Sequence, residues 1–191
     1  FRSGFFVLVA VMAAGLIFAG CRQPKRVVLT KEQKERITSN VLTAAPSIAT
    51  PLGVDFADTI RLLGVEMKPA TAKPGDKVEI TYYWESLRET KADWKLFVHL
   101  EKPRRKRQIL DHNAVGELYP ISKWKKGEII RDVQRITLDG DFPPGNAELW
   151  IGVFDETAWK ARQQNERMSI TKAGGARTDK ENRALGATLN V

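Results

Sequence analysis

A single cysteine, Cys21, stands among 191 residues, so no disulfide can form within the chain and the fold must hold by packing and backbone ladders. Histidine is nearly as scarce. His99 and His112 are the only two, and neither belongs to an HxH or HExxH spacing that would offer a metal set. GxSxG, SxxK and Gly-rich phosphate-loop patterns are missing as well. Acid pairs such as Asp139 and Asp141, or Asp155 and Glu156, fall where turns ordinarily place carboxylates, and nothing marks them as a glycosidase pair. The expectation is therefore a non-enzyme with no metal and no cofactor. His99 lies opposite the apolar face of its segment and is expected to be a packed or hydrogen-bonded sheet residue, and Asp111-His112-Asn113 reads as turn chemistry.

What is present begins with an apolar run from Phe5 to Phe18, closed by Ala19-Gly20-Cys21 and followed by the basic stretch Arg22 to Arg26. The run has the length of a signal-peptide core and falls short of the roughly 20 apolar residues of a membrane-spanning helix. Small residues fit a signal peptidase in extended form, and the Cys21 thiol can form a thioether to a diacylglycerol. This ending resembles the lipobox of exported bacterial lipoproteins, although Phe18 takes the usual leucine position and Arg2 is the only cation ahead of the run. The expectations are a truncated start, a signal peptide over 1–20 and a lipidated Cys21. An uncleaved signal anchor is the alternative, and both put the remainder outside the cytoplasm.

The chain carries 31 basic and 23 acidic residues, and removal of 1–20 takes away only Arg2. A surplus of about +7 favours acidic lipid headgroups or acidic glycan as partners. No nucleic-acid recognition motif accompanies it, so nucleic acid is not an expected partner. From Arg22 to about Val54 a charged stretch that can form a helix, Thr30 to Arg36, precedes a Thr/Ala/Ser/Pro-rich segment, Ser39 to Pro51. Such composition buries too little apolar area to offset ordering entropy, which reads as a tether over 21–55.

From about Phe56 onward short runs alternate with period two between turn residues, the mark of an all-β domain over 56–191. Expected strands are Ile60 to Met67, Lys77 to Glu85, Asp93 to Glu101, Gln108 to Asn113, Glu128 to Leu138, Ala147 to Phe154 and Ala184 to Val191, the last paired with Met168 to Thr171. In the second of these, Val78, Ile80, Tyr82 and Trp84 share the inward face. Lys73-Pro74-Gly75-Asp76 and Phe142-Pro143-Pro144-Gly145 supply turns. Seven to eight short strands predict an immunoglobulin-like antiparallel β-sandwich.

Ile60-Arg61-Leu62-Leu63-Gly64, the Lys73 to Asp76 turn before Ile80-Thr81-Tyr82-Tyr83-Trp84, Phe97-Val98-His99-Leu100, Tyr119 to Trp124 with Lys126-Gly127-Glu128, and Pro143-Pro144-Gly145 together carry a further likeness. Over roughly 58–191 the chain resembles an exported immunoglobulin-like β-sandwich module of bacterial envelope lipoproteins, also seen as an accessory domain of mannosyltransferase-like membrane glycosyltransferases. The resemblance implies the sandwich fold and a binding or accessory role without a catalytic set. Where those modules often carry an Asp-Gly turn after the His-containing strand, this chain has Pro103-Arg104-Arg105-Lys106-Arg107.

Two candidate sites follow. Lys102, Arg104, Arg105, Lys106 and Arg107 crowd one hairpin tip, where an anionic surface would relieve their mutual repulsion. The competing role is a solvated turn guarding an edge strand. Tyr119 and Trp124 lie in a loop beside Lys123, Lys125 and Lys126 and could stack on sugar faces, unless Trp124 folds back to plug the sandwich. The function expected is a non-catalytic, lipid-anchored binding or assembly module of the bacterial cell envelope, at the periplasmic face of the outer membrane, with envelope proteins or acidic glycan as partners. A carbohydrate-recognising accessory domain is the alternative.

Overall fold

The computed structural model describes residues 28–163 and 166–191. The apolar run and Cys21 lie outside them. The described residues are mostly β, arranged as two antiparallel sheets. A first helix, α1 (Lys31–Thr38), leads into β1 (Val41–Leu42), β2 (Pro51–Phe56), β3 (Ile60–Lys68), β4 (Lys77–Ser86), β5 (Trp94–Lys102) and β6 (Lys106–Ile109). Then follow β7 (Ile129–Thr137), β8 (Asn146–Asp155), α2 (Glu156–Lys160), β9 (Ile170–Lys172) and β10 (Ala184–Asn190). The six-stranded sheet has the order β1-β7-β4-β3-β2-β9 and the four-stranded sheet β10-β8-β5-β6.

Alternation places the core. Val78, Ile80, Tyr82 and Trp84 of β4 face inward together with Leu96, Val98 and Leu100 of β5 and Leu149, Ile151 and Val153 of β8, in one buried cluster contributed by both sheets. Each such side chain contributes about 1.5–3 kcal/mol by leaving water. The neighbouring Phe97, His99 and Glu101 are buried too, which strict alternation does not predict. The outer face of β5 and β8 is covered by the segment that approaches β10: Arg167 lies 4.1 Å from the Phe97 ring centroid, and Arg183 lies 5.1 Å from that of Trp150.

Three sequence expectations change. The stretch 21–55, read as a tether, contributes α1, β1 and β2. Leu52, Val54 and Phe56 alternate into the core, but Pro51 and Gly53 disguise them as a breaker-rich linker. Gly53 takes φ +66° where the β2 and β3 register slips, a bulge that left-handed glycine accommodates. β9 pairs with β2 in the larger sheet, not with β10. The strand expected over Gln108 to Asn113 instead spans Lys106–Ile109 and continues only as the isolated His112 to Leu96 bridge.

Candidate functional site

The five clustered cations do lie on the hairpin joining β5 to β6, with Arg104 at φ +61° in the turn. The structure divides them. The Lys106 ammonium stands 2.9 Å from Asp139 and 2.7 Å from Asp141, and these carboxylates hold it above its ordinary pKa. The Arg107 Nε stands 2.7 Å from Glu101 Oε1 as an ion pair, and the Lys102 ammonium donates to the Pro144 carbonyl. Arg104 and Arg105, both exposed, have no acidic partner among the described residues, and Lys102 has only the neutral carbonyl. Acids thus compensate two of the five cations, and the two free guanidiniums of the tip are Arg104 and Arg105.

Trp124 is the plug rather than a stacking platform. It is 2% exposed, its ring centroid lies 6.3 Å from that of Trp84, and its indole N–H donates to the Tyr119 carbonyl at 3.0 Å. A 3-10 turn over Ile121–Lys123 aims it inward. Tyr119 is half-buried, and its hydroxyl donates to Glu128 Oε2 at 2.7 Å. Burial first, and the Glu128 carboxylate second, push that phenol up. Trp124 therefore presents no free face for a sugar, and Tyr119 is only partly accessible. The exposed aromatic among the described residues is Trp159, 56% exposed on α2. Its sequence signal is a lone Trp in the polar run Glu156 to Arg162 after the N-capping Asp155.

Both histidines are buried and bonded internally. His112 lies between the Asp132 Oδ2, 2.7 Å from its Nε2, and the Leu110 carbonyl, 2.8 Å from its Nδ1. The other Asp132 oxygen accepts the Val115 N–H at 2.8 Å. His99 approaches Glu101 Oε1 at 3.3 Å, and the same oxygen takes Arg183 at 2.7 Å. Burial first, then the Arg107 charge, lower the His99 pKa to about 4 against the opposing Glu101 carboxylate, so the ring is neutral at pH 7. Arg183 is fixed in turn by Asp179, 2.7 Å from its Nη2. This cluster of histidine, acid and arginine is invisible in the sequence because its members lie up to 84 positions apart.

Among the described residues no group of three or more His, Cys, Asp or Glu forms a metal-binding set, and no helix is long and apolar enough to cross a membrane. No protein-family model matches the chain, and no curated protein matches it.

Proposed function

We propose that this protein is a non-catalytic, lipid-anchored binding or assembly module of the bacterial cell envelope, built as an immunoglobulin-like β-sandwich. The observation that carries the non-catalytic reading is the engagement of both His112 ring nitrogens, one with Asp132 and one with the Leu110 carbonyl. A general base needs a nitrogen within reach of the proton it abstracts, and this imidazole has none to offer. His99 is buried beneath Arg183 and is held by Glu101. The immunoglobulin-like reading draws support from the antiparallel pairing and from a chain that passes repeatedly between the two sheets.

The anchor rests on Ala19-Gly20-Cys21, and the binding surface best supported is the pair of unpartnered guanidiniums at the β5–β6 tip. Metabolic labelling tests the anchor. The protein with its native start restored takes up radioactive fatty acid, and Cys21→Ser takes up none and accumulates as a longer precursor. Equal label in both would overturn the lipoprotein reading in favour of a signal anchor. A second reading, carbohydrate recognition, is favoured by Trp159, whose exposed ring beside Lys160 has the character of a stacking platform that the buried Trp124 lacks.

A further inference from the structure

Helix α1 presents a puzzle of placement. It has no buried residue, and only Ile37 packs partly against the core. Eight residues are too few for a helix to persist in water on propensity alone. It is nonetheless capped at its start by a reciprocal Thr30 and Gln33 pair and fastened at its end to β7. The fastener is Asn40, whose backbone carbonyl accepts the Arg131 N–H at 2.8 Å, whose side-chain oxygen accepts the Arg131 Nε at 3.1 Å, and whose amide donates to the Arg36 carbonyl at 2.8 Å.

The consequence is a concentration of guanidinium. Arg131 and Arg135 project from the outer face of β7, where odd positions point away from the buried Ile130 and Asp132. The helix brings Arg36 beside them. The three arginines line one concavity of about 180 Å³ with Asn40, Val115 and Val133. Gly116, at φ +64°, makes room for Arg36: a Cβ there would stand 2.6 Å from its Nη2. Arg135 meets Glu79 at 2.8 Å, an exposed pair. Arg36 and Arg131 have no acidic partner among the described residues, and the latter is oriented by a neutral amide.

We infer that Arg36, Arg131 and Arg135 form a binding site for a phosphate oxyanion, and that its source is the headgroup of an anionic phospholipid. Arginine's planar fork suits bidentate phosphate contacts. With one acid, Glu79, against three guanidiniums, the cluster keeps a positive potential that an anion relieves. The choice of a lipid phosphate rests on the anchoring reading: Lys31 follows Cys21 by 10 residues, a span of at most about 35 Å when fully extended, so an anchored chain keeps α1 near the headgroups. There an anionic leaflet attracts basic side chains.

The test uses the full chain in zwitterionic micelles at constant ionic strength, followed by its melting temperature. One arm adds inorganic phosphate and the other dopes the micelles with phosphatidylglycerol. The expected result is a rise of about 4 °C or more at saturation in both arms, with half-saturation by the micellar lipid at least about tenfold lower in concentration because it is held close. Arg36→Gln with Arg131→Gln abolishes the rise. Arg36→Gln alone, at an exposed position and so without consequence for folding, weakens it severalfold. No rise in either arm, or an equal rise in the double variant, overturns the site. A response to inorganic phosphate without preference for the lipid overturns the lipid source. The anchor is read separately by fatty-acid label at Cys21, so its failure is distinguishable from failure of the arginines.

Discussion

His112 Nε2 and Asp132 Oδ2 lie 2.7 Å apart, with the histidine 6% exposed and the aspartate 0% exposed. Burial on its own drives the imidazolium pKa down. The Asp132 hydrogen bond and charge, helped by the Leu110 carbonyl and Glu117, outweigh it, and the net direction is upward from 6.5. The pair joins the 110–115 segment to β7. Asp132→Ala leaves both His112 and the Val115 N–H without their acceptor, and removal of one member of a buried pair costs about 3–5 kcal/mol. An unfolding free energy from urea titration within about 0.5 kcal/mol of the wild type would refute that role.

The two histidines impose opposite pH dependences. His112 has a folded pKa raised above the unfolded value, so its contribution is complete below about 6.5 and is lost as pH rises through the folded value. His99 is lowered to about 4. The unfolded chain then takes up its proton first, and stability falls as pH drops from about 6.5 toward 4. Urea unfolding across pH 4–9 should show a maximum just above pH 6.5. His99→Gln should flatten the acid limb and Asp132→Asn the alkaline one. A profile unchanged by either substitution would contradict the assignment.

Trp84 is fully buried among Phe56, Tyr82 and Trp124, and its indole N–H has no acceptor among the described residues. Trp84→Ala removes a large core ring at about 3–5 kcal/mol. Trp84→Phe loses less area and also removes a buried donor whose desolvation costs about 1–3 kcal/mol, so it should cost less than half as much. Denaturant titration of both variants checks the order. A phenylalanine variant as unstable as the alanine one would show that the indole shape, not its area, sets the packing.

The inward faces of β4 and β5 were legible because alternation over nine or ten residues leaves one assignment of faces. The Pro-Gly turns were legible for the same local reason. The entry of 51–56 into the sheet was not, since Pro51 and the bulging Gly53 mask the alternation of Leu52, Val54 and Phe56. Partnership of charges was illegible altogether. Nothing in the run Lys102 to Arg107 reveals that Asp139 and Asp141 arrive from elsewhere to neutralise Lys106, or that hairpin register sets the adjacent Glu101 opposite Arg107. The choice between a stacking and a plugging Trp124, and the exposure of Trp159, were illegible for a similar reason. A loop tryptophan is exposed or buried according to what tertiary structure places beside it.

The burial of Trp124 and the exposure of Trp159 separate stability from recognition. Trp124→Ala should cost about 3–5 kcal/mol through lost contact with Trp84 and the Tyr119 carbonyl. Trp159→Ala, at an exposed position, should stay within about 0.5 kcal/mol. If the carbohydrate reading holds, quenching of Trp159 fluorescence by an oligosaccharide disappears in Trp159→Phe and survives in variants of the hairpin tip. Quenching that persists without Trp159 would remove the support that this ring gives to sugar binding.

The division of the hairpin cations gives the sharpest test of the binding surface. Arg104 and Arg105 lack acidic partners among the described residues, so their substitution by Ser should leave the melting temperature unchanged and lower the salt at which the full chain, in zwitterionic micelles, elutes from an immobilised acidic polysaccharide. Exposed charges act over a Debye length of about 8 Å in physiological salt, which makes salt elution a direct reading of their attraction. Arg107→Ser should behave differently. It withdraws a cation 2.7 Å from the buried Glu101 carboxylate, leaving Arg183 as its remaining guanidinium partner, and therefore lowers the melting temperature as well. If Arg104→Ser with Arg105→Ser elutes with the wild type, the tip is a solvated turn that guards the β6 edge and binding must be sought elsewhere on the domain.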